Sequence, residues 1–105
     1  MDRYIQVTTT TRAREDALSI AAALVDRRLA ACVQVLGPII SVYRWQGEVE
    51  KTEEFLLQAK SRQDLFPEIE RLMEEIHPYQ EPELIAVPLT GAGASYAEWL
   101  ASELR

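Results

Sequence analysis

Basic charge, cysteine and catalytic signatures are what this 105-residue chain is short of. Lysine and arginine number 11 against 17 aspartates and glutamates, which leaves a formal net charge of −6. Phosphate backbones are held by clustered cations, so the deficit argues against a nucleic-acid partner. The basic runs are short, Arg12/Arg14 and Arg27-Arg28, and the second falls at the end of a predicted helix, where positive charge is favourable. A single cysteine, Cys32, closes no intrachain disulfide and suits a reducing compartment. The opening MDRYIQVTTTTRARED has no apolar stretch of the kind that directs secretion, and no run approaches the length of a membrane span. A cytoplasmic location, away from membranes, is the expectation. G-x-S-x-G, P-loop, G-x-G-x-x-G and H-E-x-x-H signatures are all missing. Cys32 and His77 supply the residue types of a nucleophile pair, but nothing in the sequence brings them together or adds an orienting group, so no enzyme is expected.

What is there is an ordinary globular composition, 48% hydrophobic and 27% charged, of a length that suits one domain over residues 1–105. Its organising stretch is Ala30 to Lys60, AACVQVLGPIISVYRWQGEVEKTEEFLLQAK. Two β-rich arms meet at Gln46-Gly47, a hairpin signal. Each arm has about 13 residues and would reach roughly 40 Å at the usual strand rise. A globule of this length has a radius of gyration of only about 13 Å, so the hairpin is expected to overhang its own domain. Tyr43, Arg44 and Trp45 lie at its far end. Large aromatics are rarely left in water, so the tip is expected to pack on another copy of the chain.

The remaining elements follow in order. Tyr4 to Thr9 alternates as a strand, and the threonines at Thr8 to Thr11 offer a helix N-cap. A helix from Ala13 to Leu29 places Ala17, Leu18, Ala21, Leu24 and Val25 on one face. Gly37-Pro38 predicts a bend or bulge in the first hairpin arm. Glu48, Glu50, Glu53 and Glu54 read as a solvated edge, or as a metal-collecting surface. A second helix starts in the Ser61–Asp64 region, buries Leu65, Ile69, Leu72, Met73 and Ile76, and must stop near His77 because of Pro78. Pro67 suits its first turns. Leu84 to Thr90 reads as a last strand, at an edge because of Pro88. A short helix from Ser95, with Ser95 and Glu98 as a capping box, turns Trp99, Leu100 and Leu104 inward. The order β-α-β-β-α-β plus a helix predicts an α+β, ferredoxin-like sandwich.

Four segments, LAACVQVLGPIISVYRWQGEVE, EFLLQAKS, HPYQEPELIAVPLTG and YAEWL, resemble in order and spacing the CutA divalent-cation tolerance family. The resemblance covers almost the whole chain. It implies a ferredoxin-like protomer and a homotrimer, similar to the PII signalling proteins, in which long hairpins cross neighbouring subunits. It also implies a role in tolerance of copper and other divalent cations; animal members have been linked to cholinesterase anchoring. Ser61 stands where many members have Thr, and Gln80 where many have Glu, which removes a potential anionic ligand. The Thr8–Thr11 run replaces a loop that more often contains proline.

Cys32 and His77 are the sole thiol and imidazole, and together they suit copper or zinc. Two such donors are too few for a closed site, so Glu50, Glu83 or a neighbouring subunit would have to complete it. A divalent ion, copper first, is the expected bound species, one that folding does not require. The plainer readings are a buried hydrophobe for Cys32 and a helix-end residue for His77. Lys60 and Tyr79 are candidates for an inter-subunit cleft that takes a small anionic metabolite, as in a PII-like sensor, with Tyr43, Arg44 and Trp45 at the trimer interface. A trimer that scaffolds another protein is a further alternative.

Overall fold

The computed structural model describes residues 3–105. Met1 and Asp2, the start of the stretch read as lacking a secretion signal, lie outside them. The chain runs β1 (Tyr4–Thr11), α1 (Arg14–Asp26), β2 (Cys32–Trp45), β3 (Glu48–Arg62), a 3-10 turn (Gln63–Leu65), α2 (Phe66–Ile76), β4 (Ile85–Pro88) and α3 (Ala94–Glu103). The strands form one antiparallel sheet in the order β2-β3-β1-β4, the ferredoxin-like arrangement. Alternate residues of β1 and β3, Ile5, Val7, Leu57 and Ala59, point into a core closed by Ile20 and Leu24 of α1 and Ile69, Leu72 and Met73 of α2. Ser61 lies in the same buried row and donates its hydroxyl proton to the Leu29 carbonyl at 2.5 Å, so its burial costs no lost bond.

The hairpin is as long as the arms predict. β2 has 14 residues and β3 has 15, and the molecule measures 45 × 25 × 22 Å. Gln46 and Gly47 take φ of 51° and 83°, the left-handed pair that a two-residue turn needs to match strand twist. Leu36 pairs with Leu56 and Ile39 with Glu54, so Gly37 and Pro38 oppose Phe55 alone. This is the expected bulge. Gly37 is there for space: a Cβ would sit 2.5 Å from Cδ2 of the Phe55 ring. β4 pairs only with β1 and is an edge strand, where Pro88 is tolerated.

Several local expectations are corrected. β1 continues to Thr11, whose hydroxyl donates to the Ala13 carbonyl at 2.8 Å instead of capping the helix. α1 ends at Asp26, short of Leu29. Its buried residues are Ala17, Ile20 and Leu24, while Leu18 and Val25 are exposed. Arg27 and Arg28 therefore follow the helix. Arg28 turns left-handed, φ 58°, and its guanidinium donates to the Ser102 and Glu103 carbonyls at 2.8 and 3.0 Å. It satisfies the open end of α3 rather than that of α1. α2 begins at Phe66 after the 3-10 turn, and Ile76 lies on its exposed side. The last strand is shorter than Leu84 to Thr90. α3 starts at Ala94 with no side-chain cap, so the Ser95–Glu98 box does not form, and Trp99 is exposed while Leu100 and Leu104 are buried.

Candidate functional site

α2 stops where Pro78 forbids helical geometry to the residue before it: His77 is extended, φ −73° and ψ 132°. That stop aims the imidazole at β1 and starts a connector toward β4. Nδ1 of His77 accepts the backbone N–H of Tyr79 at 3.1 Å. Nδ1 therefore carries no proton, and in the neutral ring Nε2–H faces the Thr9 hydroxyl at 3.0 Å. Burial pushes the His77 pKa down from 6.5, against the opposing pull of the Thr10 backbone, Asp16 and Glu54. The geometry and the direction agree on a neutral ring.

Two residues on, the Tyr79 hydroxyl donates to Oε2 of Glu54 at 2.6 Å. Burial, then the bond to Glu54 and its charge, push the Tyr79 phenol far above its usual range, so it stays a donor. Glu54 is only 5% exposed. The solvated edge expected of the four glutamates holds for Glu48, Glu50 and Glu53, which are exposed, and not for Glu54. Strand alternation places it on the opposite face from Leu57, and the connector reaches it past Thr9–Thr11, which β4 leaves unpaired.

Here a cavity of about 1000 Å³ opens between the far half of the hairpin, the end of β1 and the connector. Tyr43, Trp45 and Tyr79 supply aromatic walls, Glu50, Glu54, Glu81 and Glu83 carboxylates, and Arg12 and Arg44 positive charge. Arg44 is partly spoken for, since Nη1 donates to the Gly47 carbonyl at 3.4 Å. The Tyr43 hydroxyl meets the Thr52 hydroxyl at 2.9 Å.

The candidate residues thus divide. Glu50, Glu83, Tyr79, Tyr43, Arg44 and Trp45 converge on one cavity, and His77 braces its connector. Cys32 and Lys60 do not join them. They pair across β2 and β3, and Lys60 donates to Oε1 of Gln34 at 3.1 Å. Lys60 lies six residues along β3 from Glu54, about 20 Å away at the usual rise, so one chain does not bring Lys60 and Tyr79 together. Cys32 shares a sheet face with Lys60, whereas Thr9 and its partner His77 belong with Leu57 on the other face. The Cys32 thiol is half-buried and neighbours the Tyr96 hydroxyl, whose pKa rises through burial and then through that thiol. Among the described residues no three of His, Cys, Asp and Glu form a group able to hold a metal ion. A closed four-donor site therefore does not fit within one chain. Sequence reasoning gave Arg12 and Glu54 no place in a cavity: strand alternation puts Glu54 on the same outward face as Glu48 and Glu50, and it is the Tyr79 connector, distant in sequence, that meets it there.

Fold and site together define a class: an α+β, ferredoxin-like domain with an overlong hairpin that walls an acidic, aromatic cavity. The family model described as "CutA1 divalent ion tolerance protein" matches residues 5–103. The divalent-cation tolerance protein CutA of Thermus thermophilus is 42% identical over 91 residues, 87% of this chain and 88% of that one. Its solved structure superposes with a TM-score of 0.93 over 97% of this chain and 99% of the other, at 38% identity. CutA1 of Oryza sativa gives 0.94 at 35% identity, over 98% of this chain and 94% of that one. The chain belongs to the CutA divalent-ion tolerance family. It spans about half the length of plant and animal relatives such as chloroplastic CutA of Arabidopsis thaliana, 40% identical over 88% of this chain and 50% of that one. No helix among the described residues is long and apolar enough to cross a membrane.

Proposed function

We propose that this chain acts in divalent-cation tolerance as a cytoplasmic homotrimer that binds divalent metal, copper first, with donors gathered from more than one subunit. The observation that carries the reading is the family match over residues 5–103. Trimer formation is supported by apolar surface that a single chain leaves open. Val42 and Val49 near the tip are each 64% exposed, and Leu36, Ile85 and Val87 lie uncovered on the sheet. Copper is favoured by the half-buried thiol of Cys32, a soft donor, with Glu50 and Glu83 as carboxylates at the cavity. His77 would have to release Tyr79 N–H or Thr9 before it could ligate. A lone half-buried thiol suits a reducing compartment. The chemistry proposed is binding, with no bond made or broken.

Calorimetric titration of Cu²⁺ into wild type, Cys32→Ala and His77→Ala tests this. Cys32→Ala is expected to weaken binding about tenfold or more, and His77→Ala less. Equal affinities in all three would remove both residues from the site and leave adventitious binding by an acidic protein.

A further inference from the structure

We infer that the outer face of α1 is a contact surface between copies of this chain, on which two α1 helices pack antiparallel about a two-fold axis. The face lies on the opposite side of the molecule from the open sheet, because Ala17, Ile20 and Leu24 turn the other side of α1 inward. It is therefore separate from the hairpin tip and sheet surface of the proposed trimer, and the inference stands whether or not that trimer forms. The starting observation is apolar surface where the solvated side of a helix is ordinarily polar. Leu18 is 42% exposed and Val25 45%, and Ala22 between them is exposed as well. At i, i+4 and i+7 they form one stripe along the helix.

The shape and charge of the stripe select a second copy as its occupant. One turn beyond Leu18, a shallow hollow is lined by Ala22, Ala23, Val25 and Asp26. Leu18 is a projecting side chain, and Ala22 is the recess next to it. An antiparallel two-fold that sets Leu18 of one copy on Ala22 of the other does so twice, because such a contact is isologous. The same register brings Arg14 of one copy to Asp26 of the other, one turn further out at each end. At about 100° per residue, the two fall on the same side of the seam. Arg14 and Asp26 are exposed, and neither has an ion pair among the described residues. Projection, recess, cation and anion thus occur in the order that a two-fold requires, within one 13-residue helix. The rim carries both signs, Arg14 and Glu15 at one end and Asp26 at the other, so it selects neither a strongly basic nor a strongly acidic partner. One helix pair buries well under the roughly 800 Å² per partner of a stable complex, so the contact is weak and forms on concentration.

The test is sedimentation equilibrium of the full chain over roughly 5 to 500 µM, the range in which a contact this small assembles, with thermal unfolding of every variant. The average mass is expected to hold at its dilute value in the lower part of the range and to rise toward twice that value at the top. Leu18→Glu should keep the dilute mass throughout with an unchanged melting temperature. Arg14→Asp and Asp26→Arg each set like charges together at two symmetric places and should weaken the association about fivefold or more. The two reversals combined restore opposite charges and should recover most of it, which ties Arg14 to Asp26 of the other copy. The proposal is overturned by a mass that does not change with concentration, by a rise that survives Leu18→Glu, or by a double reversal that associates no better than either single one. If Leu18→Glu lowers the melting temperature, the reversals, which alter only exposed side chains, decide alone. The dilute mass itself, one chain or three, reports separately on the trimer.

Discussion

Tyr79 does more than any other single side chain to join the candidate site to the fold. Its hydroxyl donates to the buried Glu54 carboxylate, the one hydrogen bond that carboxylate receives among the described residues, and its N–H fixes the tautomer of His77. Tyr79→Phe should therefore destabilise the protein by about 1–3 kcal/mol, the cost of leaving a buried charged acceptor unmet, read as a lower urea midpoint at constant slope. His77 adds a pH dependence of definite sign. Its pKa is lowered in the folded state from 6.5, so below that pH the unfolded chain takes up a proton that the folded chain refuses. The His77 contribution is whole above pH 6.5 and is lost as the pH falls toward the depressed folded value. Melting temperatures measured from pH 7.5 down to 5 should fall more steeply in wild type than in His77→Asn, which keeps an acceptor but does not titrate. Parallel profiles would show that the imidazole is not the cause.

Among the elements, the hairpin and the buried stripe of Leu65, Ile69, Leu72 and Met73 were the most legible in sequence and the face of α1 the least. Gln46-Gly47 marked the turn because glycine readily takes the positive φ that two-residue hairpin loops use, and Gly37-Pro38 marked the bulge because proline cannot donate to a ladder. Pro78 marked the end of α2 through the backbone of His77. The face of α1 was read about one position out. Ala21, Ala22 and Ala23 carry little hydrophobic contrast, so Leu18 and Val25 looked as eligible for burial as Ile20. Caps were over-read, since Thr11 and Ser95 have the right chemistry but lie where the backbone does not present N–H groups to them. The cavity was half legible. Its aromatic and acidic residues were on view, but they come from β1, both hairpin arms and the connector, and a register set across three strands cannot be read from any one of them. Gly37 gives the element-scale prediction. Gly37→Ala drives a methyl into the Phe55 ring and should cost about 1–3 kcal/mol, whereas Gly37→Ala combined with Phe55→Leu should recover part of that loss. Equal stability of Gly37→Ala and wild type would mean that the ring moves freely and does not define the bulge.

For the whole molecule, shape and surface point the same way. The chain extends 45 Å along one axis and 25 and 22 Å along the others, and its far end carries Val42, Trp45 and Val49 with little cover. The sheet face away from the helices adds Leu36, Ile85 and Val87. Surfaces of this kind are buried when copies associate, and closed association also protects the β4 edge. Trp45→Ala is expected to weaken the proposed trimer more than it disturbs the protomer, so dissociation should appear on dilution while the far-ultraviolet spectrum is kept. The most direct test of the account is the solution mass by sedimentation equilibrium at micromolar concentration. Three times 11.9 kDa, with tryptophan emission shifted to the blue of free indole, is the expected result. A mass of 11.9 kDa, with emission like that of tryptophan in water, would contradict it.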